Sequence, residues 1–122
     1  MSEISSYKDL IVWQKGLELT KTVYQLTTKL PENEKFGLVS QVRRAAVSIP
    51  SNIAEGRERG TRKDYAQFLR IALGSTAELE TQLILIESIY PEISTASAQT
   101  EITHIRKMLY VLIRKLNSPS NP

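Results

Sequence analysis

Between Tyr65 and Tyr90, core-type residues recur in steps of three and four for seven turns: Tyr65, Phe68/Leu69, Ala72, Thr76, Leu79, Leu83, Ile86 and Tyr90. This is the period of one face of an α-helix, sustained far longer than a strand runs. Such a rod, roughly 40 Å long at about 1.5 Å per residue, can bury its stripe only against partners of similar length. The rest of the chain therefore has to supply those partners. Thr61 followed by Asp64 resembles a capping box at the start of the rod, with Asp in place of the usual Glu, and Pro91 stops it.

Three more helical patterns are present. The first is predicted from about Tyr7 to Leu30, with Leu10, Trp13, Leu17, Thr20, Tyr24 and Thr27 on one stripe, Leu26 and Leu30 widening it, and Pro31 ending it. The second starts near Asn33 and places Val39, Val42, Ala46, Ile49 and Ile53 on one face, with Gly56 and Gly60 at its end. The fourth spans about Ser97 to Leu116, with Ile102, Ile105, Leu109, Leu112 and Leu116 as its seam. No segment alternates with period two. The expected fold is all-α: an antiparallel up-down-up-down four-helix bundle over residues 7–116, between flexible ends at 1–6 and 117–122. Pro50 falls inside the second helix, where it deletes the bond to the carbonyl of Ala46 and predicts a kink. Ser48, Ser51 and Asn52 are at hand to satisfy the freed groups.

Charge is distributed unevenly. Residues 43–70 carry seven basic against three acidic side chains, while residues 71–100 carry four Glu and no Lys or Arg. Antiparallel helices bring the 57–63 loop, the start of the first helix and the end of the fourth to one pole. Lys8, Arg57, Arg59, Arg62, Lys63, Arg114 and Lys115 meet there, against Asp9, Glu55, Glu58 and Asp64. The opposite pole is acidic. Arg43 and Arg44 are placed about one turn from the level of Arg70, as a second basic site on the flank, or else as ion-pair partners of Glu78 or Glu80. Phosphate attraction needs Lys and Arg but no pocket, so nucleic acid, RNA ahead of DNA, is the expected partner. Tyr65 lies beside the loop cluster, either as core or as a base-stacking ring.

Apolar surface also exceeds what one bundle hides. Met108–Ile113 and Leu10–Trp13 are apolar around the whole helix, which predicts self-association through the first and fourth helices. The interface residues expected are Leu10, Ile11, Trp13, Met108, Tyr110, Val111 and Ile113.

The sequence offers little for catalysis, and no enzyme activity, metal or cofactor is expected. Glu101-Ile-Thr-His104 has the Glu-x-x-His spacing of di-iron bundles, but His104 is the single histidine of the chain, and a di-iron site needs two such motifs. Gly56–Lys63 lacks the Gly-Lys-Ser/Thr of a phosphate loop and follows a helix, where that loop requires a strand. The absence of cysteine fits a reducing cytosol, and no apolar run is long enough to span a membrane.

Tyr7–Leu10 with Trp13, Phe36–Leu38, Gln41–Pro50, Asn52–Gly56, Tyr65, Phe68–Leu69, Gly74–Ser75 and Glu78–Glu80 resemble the bacterial four-helix bundle family encoded in intervening sequences of 23S ribosomal RNA genes. The resemblance covers roughly residues 7–116. That family is in turn similar to the accessory variability protein of diversity-generating retroelements, a basic homopentamer with a pore. The resemblance implies a ring, with five subunits favoured, and a positive surface that binds nucleic acid. An adaptor that docks a reverse transcriptase is the alternative it implies.

Overall fold

The computed structural model describes residues 6–119; of the two expected flexible ends, residues 1–5 and 120–122 lie outside it. Four α-helices make up the fold: α1 (Ile11–Thr27), α2 (Leu38–Glu58), α3 (Arg62–Ile89) and α4 (Ala96–Asn117), with 3-10 turns at Tyr7–Asp9 and Glu32–Glu34 and no strand among the described residues. Each helix packs on its sequence neighbours, and α1 against α4 closes the square. Bonds between the helices fix their directions. Arg43 of α2 donates to Thr27 near the end of α1, while Pro50 lies against Gly16 near its start. Ser48 meets Ser75 at 2.8 Å, while α2's late Gly56 abuts Phe68. Arg62 bonds the carbonyl of Lys115, while Glu80 further along α3 pairs with Arg106. Every neighbouring pair is therefore antiparallel.

The core runs the length of this square. Leu19, Val23, Val42, Ile49, Ile53, Leu69, Leu79, Leu83, Ile86, Ile102, Ile105 and Leu109 are fully buried, each stabilising the fold by about 1.5–3 kcal/mol relative to an exposed position. The breaks between helices have local causes. Leu10 is extended and separates the first 3-10 turn from α1. Gly60 sits at φ +89°, where a side chain would be strained, and turns the chain from α2 into α3. The Thr61 hydroxyl then accepts from the Asp64 N–H at 3.1 Å, the N-cap expected from the sequence.

Pro50 is accommodated from outside its own helix. α2 stays continuous through it, and the Thr20 hydroxyl of α1 reaches the freed Ala46 carbonyl at 3.4 Å while donating to Gly16 O at 2.8 Å. The neighbours expected to fill this role bond elsewhere: Asn52 donates to the Ser48 carbonyl and hydroxyl, and Ser48 to or from Ser75.

Three boundaries and one face differ from expectation. The first α-helix begins at Ile11 and ends at Thr27, and α2 begins at Leu38, because Pro31 and the 3-10 turn at Glu32–Glu34 occupy the intervening residues. The buried residues of α1 are Val12, Gly16, Leu19, Val23, Leu26 and the expected Thr27, whereas Leu17 and Tyr24 are exposed. α1 carries two apolar stripes about a quarter-turn apart. The close approach of Gly16 to Pro50, where an added Cβ would lie 3.2 Å from the ring, selects the one that turns inward.

At the acidic pole the Glu87 carboxylate accepts the Thr95 hydroxyl and, at 2.8 Å, the Thr95 N–H, just ahead of α4. These bonds hold its pKa below the usual carboxylate value. A folded-state pKa below the unfolded one contributes stability that is present above the unfolded value, about 4.3, and lost as pH falls through the folded pKa. The urea midpoints of wild type and Glu87→Gln are therefore expected to differ at pH 7 and to draw together as pH falls through the folded-state pKa. A gap constant with pH would contradict this linkage.

Candidate nucleic-acid interface

Arg62 organises the basic pole. Its guanidinium donates to the carbonyls of Lys115 at 2.8 Å and of Leu116 and Ser118 at 3.2 and 3.4 Å, tying the start of α3 to the end of α4. A cation at helix-terminal carbonyls also offsets the negative end of the α4 dipole. The bond brings the start of α3, which carries Lys63, to the last turns of α4, which carry Arg114 and Lys115, and the 3-10 turn carrying Lys8 packs against α2.

Its cations are not equivalent. Arg59 pairs with Glu55 at 2.7 Å and lies 4.8 Å from the Phe68 ring centroid. That hydrogen bond raises its pKa. Arg57 is partly buried, and its charge opposes the rise that burial imposes on the Tyr65 phenol. Tyr65 is packed against the core with its hydroxyl buried and unpartnered, so its ring is not offered to a base. Lys8, Lys63, Arg114 and Lys115 are exposed and make no ion pair among the described residues. They form the available charge of the pole.

The flank differs from what the sequence implied. The α2–α3 hairpin reflects about Thr61, with Ser48 level with Ser75, so Arg43 and Arg44 stand opposite residues 79–80. Arg70 is some nine residues away, about 14 Å at 1.5 Å per residue, and does not join them. Arg43 pairs with neither Glu78 nor Glu80. It donates to Thr27 Oγ1 at 2.9 Å and to the Tyr24 carbonyl at 3.3 Å, with its guanidinium 4.3 Å from the Tyr24 ring centroid. Glu80 is taken by Arg106 at 3.1 Å. Arg44 is exposed and shares a shallow polar cleft with Gln41 and Glu78 but forms no ion pair within 4.0 Å.

Beside Arg43, an open cleft of about 570 Å³ holds Tyr24, Lys35, Phe36, Arg44 and Val47, with no carboxylate in its lining. Tyr24 was expected in the core, and neither Lys35 nor Phe36 stood out in the sequence as a site residue. The available signal was spacing: positions 40, 43/44 and 47 share one face of α2 with two arginines, and the ring of Phe36 comes just ahead of that helix.

The predicted interface residues divide into groups. Ile11, Val111, Met108 and Leu112 line an open apolar groove of about 470 Å³ between α1 and α4, where Ile11 is 61% and Val111 46% exposed. Leu10 also borders this groove but is buried, as is Ile113, so both serve the core. Tyr110 is exposed outside the groove's lining. Trp13 faces the α1–α2 side, edge-on to Tyr7 at 5.3 Å. His104 is exposed, and Glu101 accepts the Thr22 hydroxyl at 2.7 Å. Among the described residues no group of three carboxylate, histidine or cysteine side chains could hold a metal, and no helix is long and apolar enough to cross a membrane.

A model of the 23S rRNA-intervening sequence proteins matches residues 8–111, the whole bundle up to the last turns of α4. The chain belongs to that family. A crystal structure of a protein of unknown function from the S23 ribosomal protein family of Bacteroides thetaiotaomicron VPI-5482 is similar, with a TM-score of 0.74 and 28% identity over 85% of this chain and 99% of that chain. No curated protein matches the sequence. The family match takes in Lys8, Lys63 and the groove residues Ile11, Met108 and Val111, and stops short of Arg114 and Lys115.

Proposed function

We propose that this member of the 23S rRNA-intervening sequence family is a non-enzymatic, oligomeric nucleic-acid-binding protein, with RNA favoured over DNA. The observation that carries it is the set of exposed cations Lys8, Lys63, Arg114 and Lys115, with the bond of Arg62 tying the start of α3 to the end of α4. Among the described residues none of the four forms an ion pair, and phosphates are the polyanions that such a surface attracts without a pocket. Binding of a labelled RNA should weaken steeply with salt, linearly in log–log form. Salt-independent binding, or none, overturns the reading.

Oligomerisation through the α1–α4 groove repeats the tip in each copy. The apolar walls at Ile11 and Val111 are covered on one side only, as expected of a surface that meets a second copy. The assembly proposed is a ring of five, as the sequence resemblance implies. Ile11→Glu with Val111→Glu places two charges in that contact, and the sedimenting mass should fall to that of one subunit with helicity unchanged. An unchanged mass would move the interface elsewhere.

A further inference from the structure

The flank cleft between α1 and α2 has features that general phosphate attraction does not require. Phe36 lies in the turn before α2 with 88% of its surface exposed, beside the Lys35 ammonium at 5.6 Å from its ring centroid. Across the cleft the Tyr24 ring, 42% exposed, carries the Arg43 guanidinium on its face. Arg43 is held there by Thr27 and the Tyr24 carbonyl, so this flat cationic platform is already ordered before any ligand arrives. Arg44 on the next position makes no ion pair among the described residues, and the lining contains three cations and no acid.

We propose that this cleft takes an unstacked base of single-stranded nucleic acid, with Phe36 and the Tyr24–Arg43 pair as stacking faces and Lys35 and Arg44 on the flanking phosphates. Exposed rings interleaved with cations are what single strands use. Every base offers a π-face, whereas in a duplex those faces are stacked away. The opening of about 570 Å³ lies within the range of small-ligand sites. A second copy of this chain fits less well, since covering Lys35, Arg43 and Arg44 would require acids aligned along their face.

The inference shares its ligand class with the proposed function but uses none of the pole's residues. The test measures anisotropy of labelled oligo(U), oligo(dT), an abasic oligomer of the same length and an RNA duplex against wild type and Tyr24→Leu/Phe36→Ala. The double variant should bind a base-bearing single strand about 5- to 100-fold more weakly. Its affinity for the duplex and the abasic oligomer should match wild type. Whichever of oligo(U) and oligo(dT) shows the larger loss identifies the natural strand type. Equal losses on all probes, or no loss, overturn the cleft. A changed sedimenting mass without loss of binding also overturns it, by assigning Phe36 to a contact between subunits. Duplex binding that survives alongside an ineffective cleft variant leaves the pole intact. Single-strand binding that depends on the cleft, with no duplex binding, leaves the cleft and removes the pole.

Discussion

Replacing Gly56 by alanine is expected to lower stability by about 1–3 kcal/mol, although alanine favours a helix by about 1 kcal/mol over glycine. Gly56 is buried in the last turns of α2, and an added Cβ would lie 2.6 Å from Phe68 Cβ and 3.3 Å from the Tyr65 carbonyl. Neither neighbour is the loose end of a side chain. Both are fixed to the first turns of α3, so the two helices must separate where the hairpin closes. Gly74→Ala serves as the internal control. Gly74 is exposed in the middle of α3 with nothing within 4 Å of its added Cβ. There the gain in helix propensity should appear as about 0.5–1 kcal/mol of stabilisation. Urea denaturation of the two single variants should therefore give midpoints on opposite sides of wild type. Two upward shifts would mean that the α2–α3 contact yields without cost. The larger Gly56→Val should lose more than Gly56→Ala, since its branched chain adds volume at the same contact.

The second large effect is on binding. Changing Lys8, Lys63, Arg114 and Lys115 together to glutamine should weaken duplex binding by about 10²–10³-fold near physiological salt if each touches one phosphate, and reduce the log–log salt slope by about 3–4. Among the described residues their side chains form no ion pair with the rest of the fold, so thermal stability should hardly change. Arg59 and Arg62 are unsuitable for this test. One is committed to Glu55 and the Phe68 ring, the other to the last carbonyls of α4, and their loss would confuse folding with binding. A quadruple variant that keeps wild-type affinity and slope would remove the pole from the binding surface.

The charge argument shows how far linear reading reached. Composition along the chain and an antiparallel path were enough to bring the 57–63 loop to the end of α4, and the Arg62 bonds lie where that path puts them. It could not distinguish a guanidinium used as a structural tie from an ammonium left in water, because both are one positive charge in the sequence. The displacement of Arg43 and Arg44 from Arg70 has a similar origin. Cross-helix level depends on where a hairpin reflects, and here Ser48 against Ser75 sets it. The interface residues divide for a related reason. A run such as Met108–Ile113 is apolar on every side, so its spacing does not say that Ile113 turns inward while Val111 turns out.

The sequence by itself determined four helices, their proline and glycine stops, the Thr61 cap and the separation of basic from acidic segments. These follow from local terms: apolar period, backbone freedom and charge, each acting within a few residues. Only the tertiary structure decided which of two stripes on α1 turns inward, which cations remain unpaired and that Phe36 and Tyr24 border a basic cleft. Those outcomes depend on how closely helices approach one another. Gly16 against Pro50 and Gly56 against Phe68 set the rotation and level of each helix against the next.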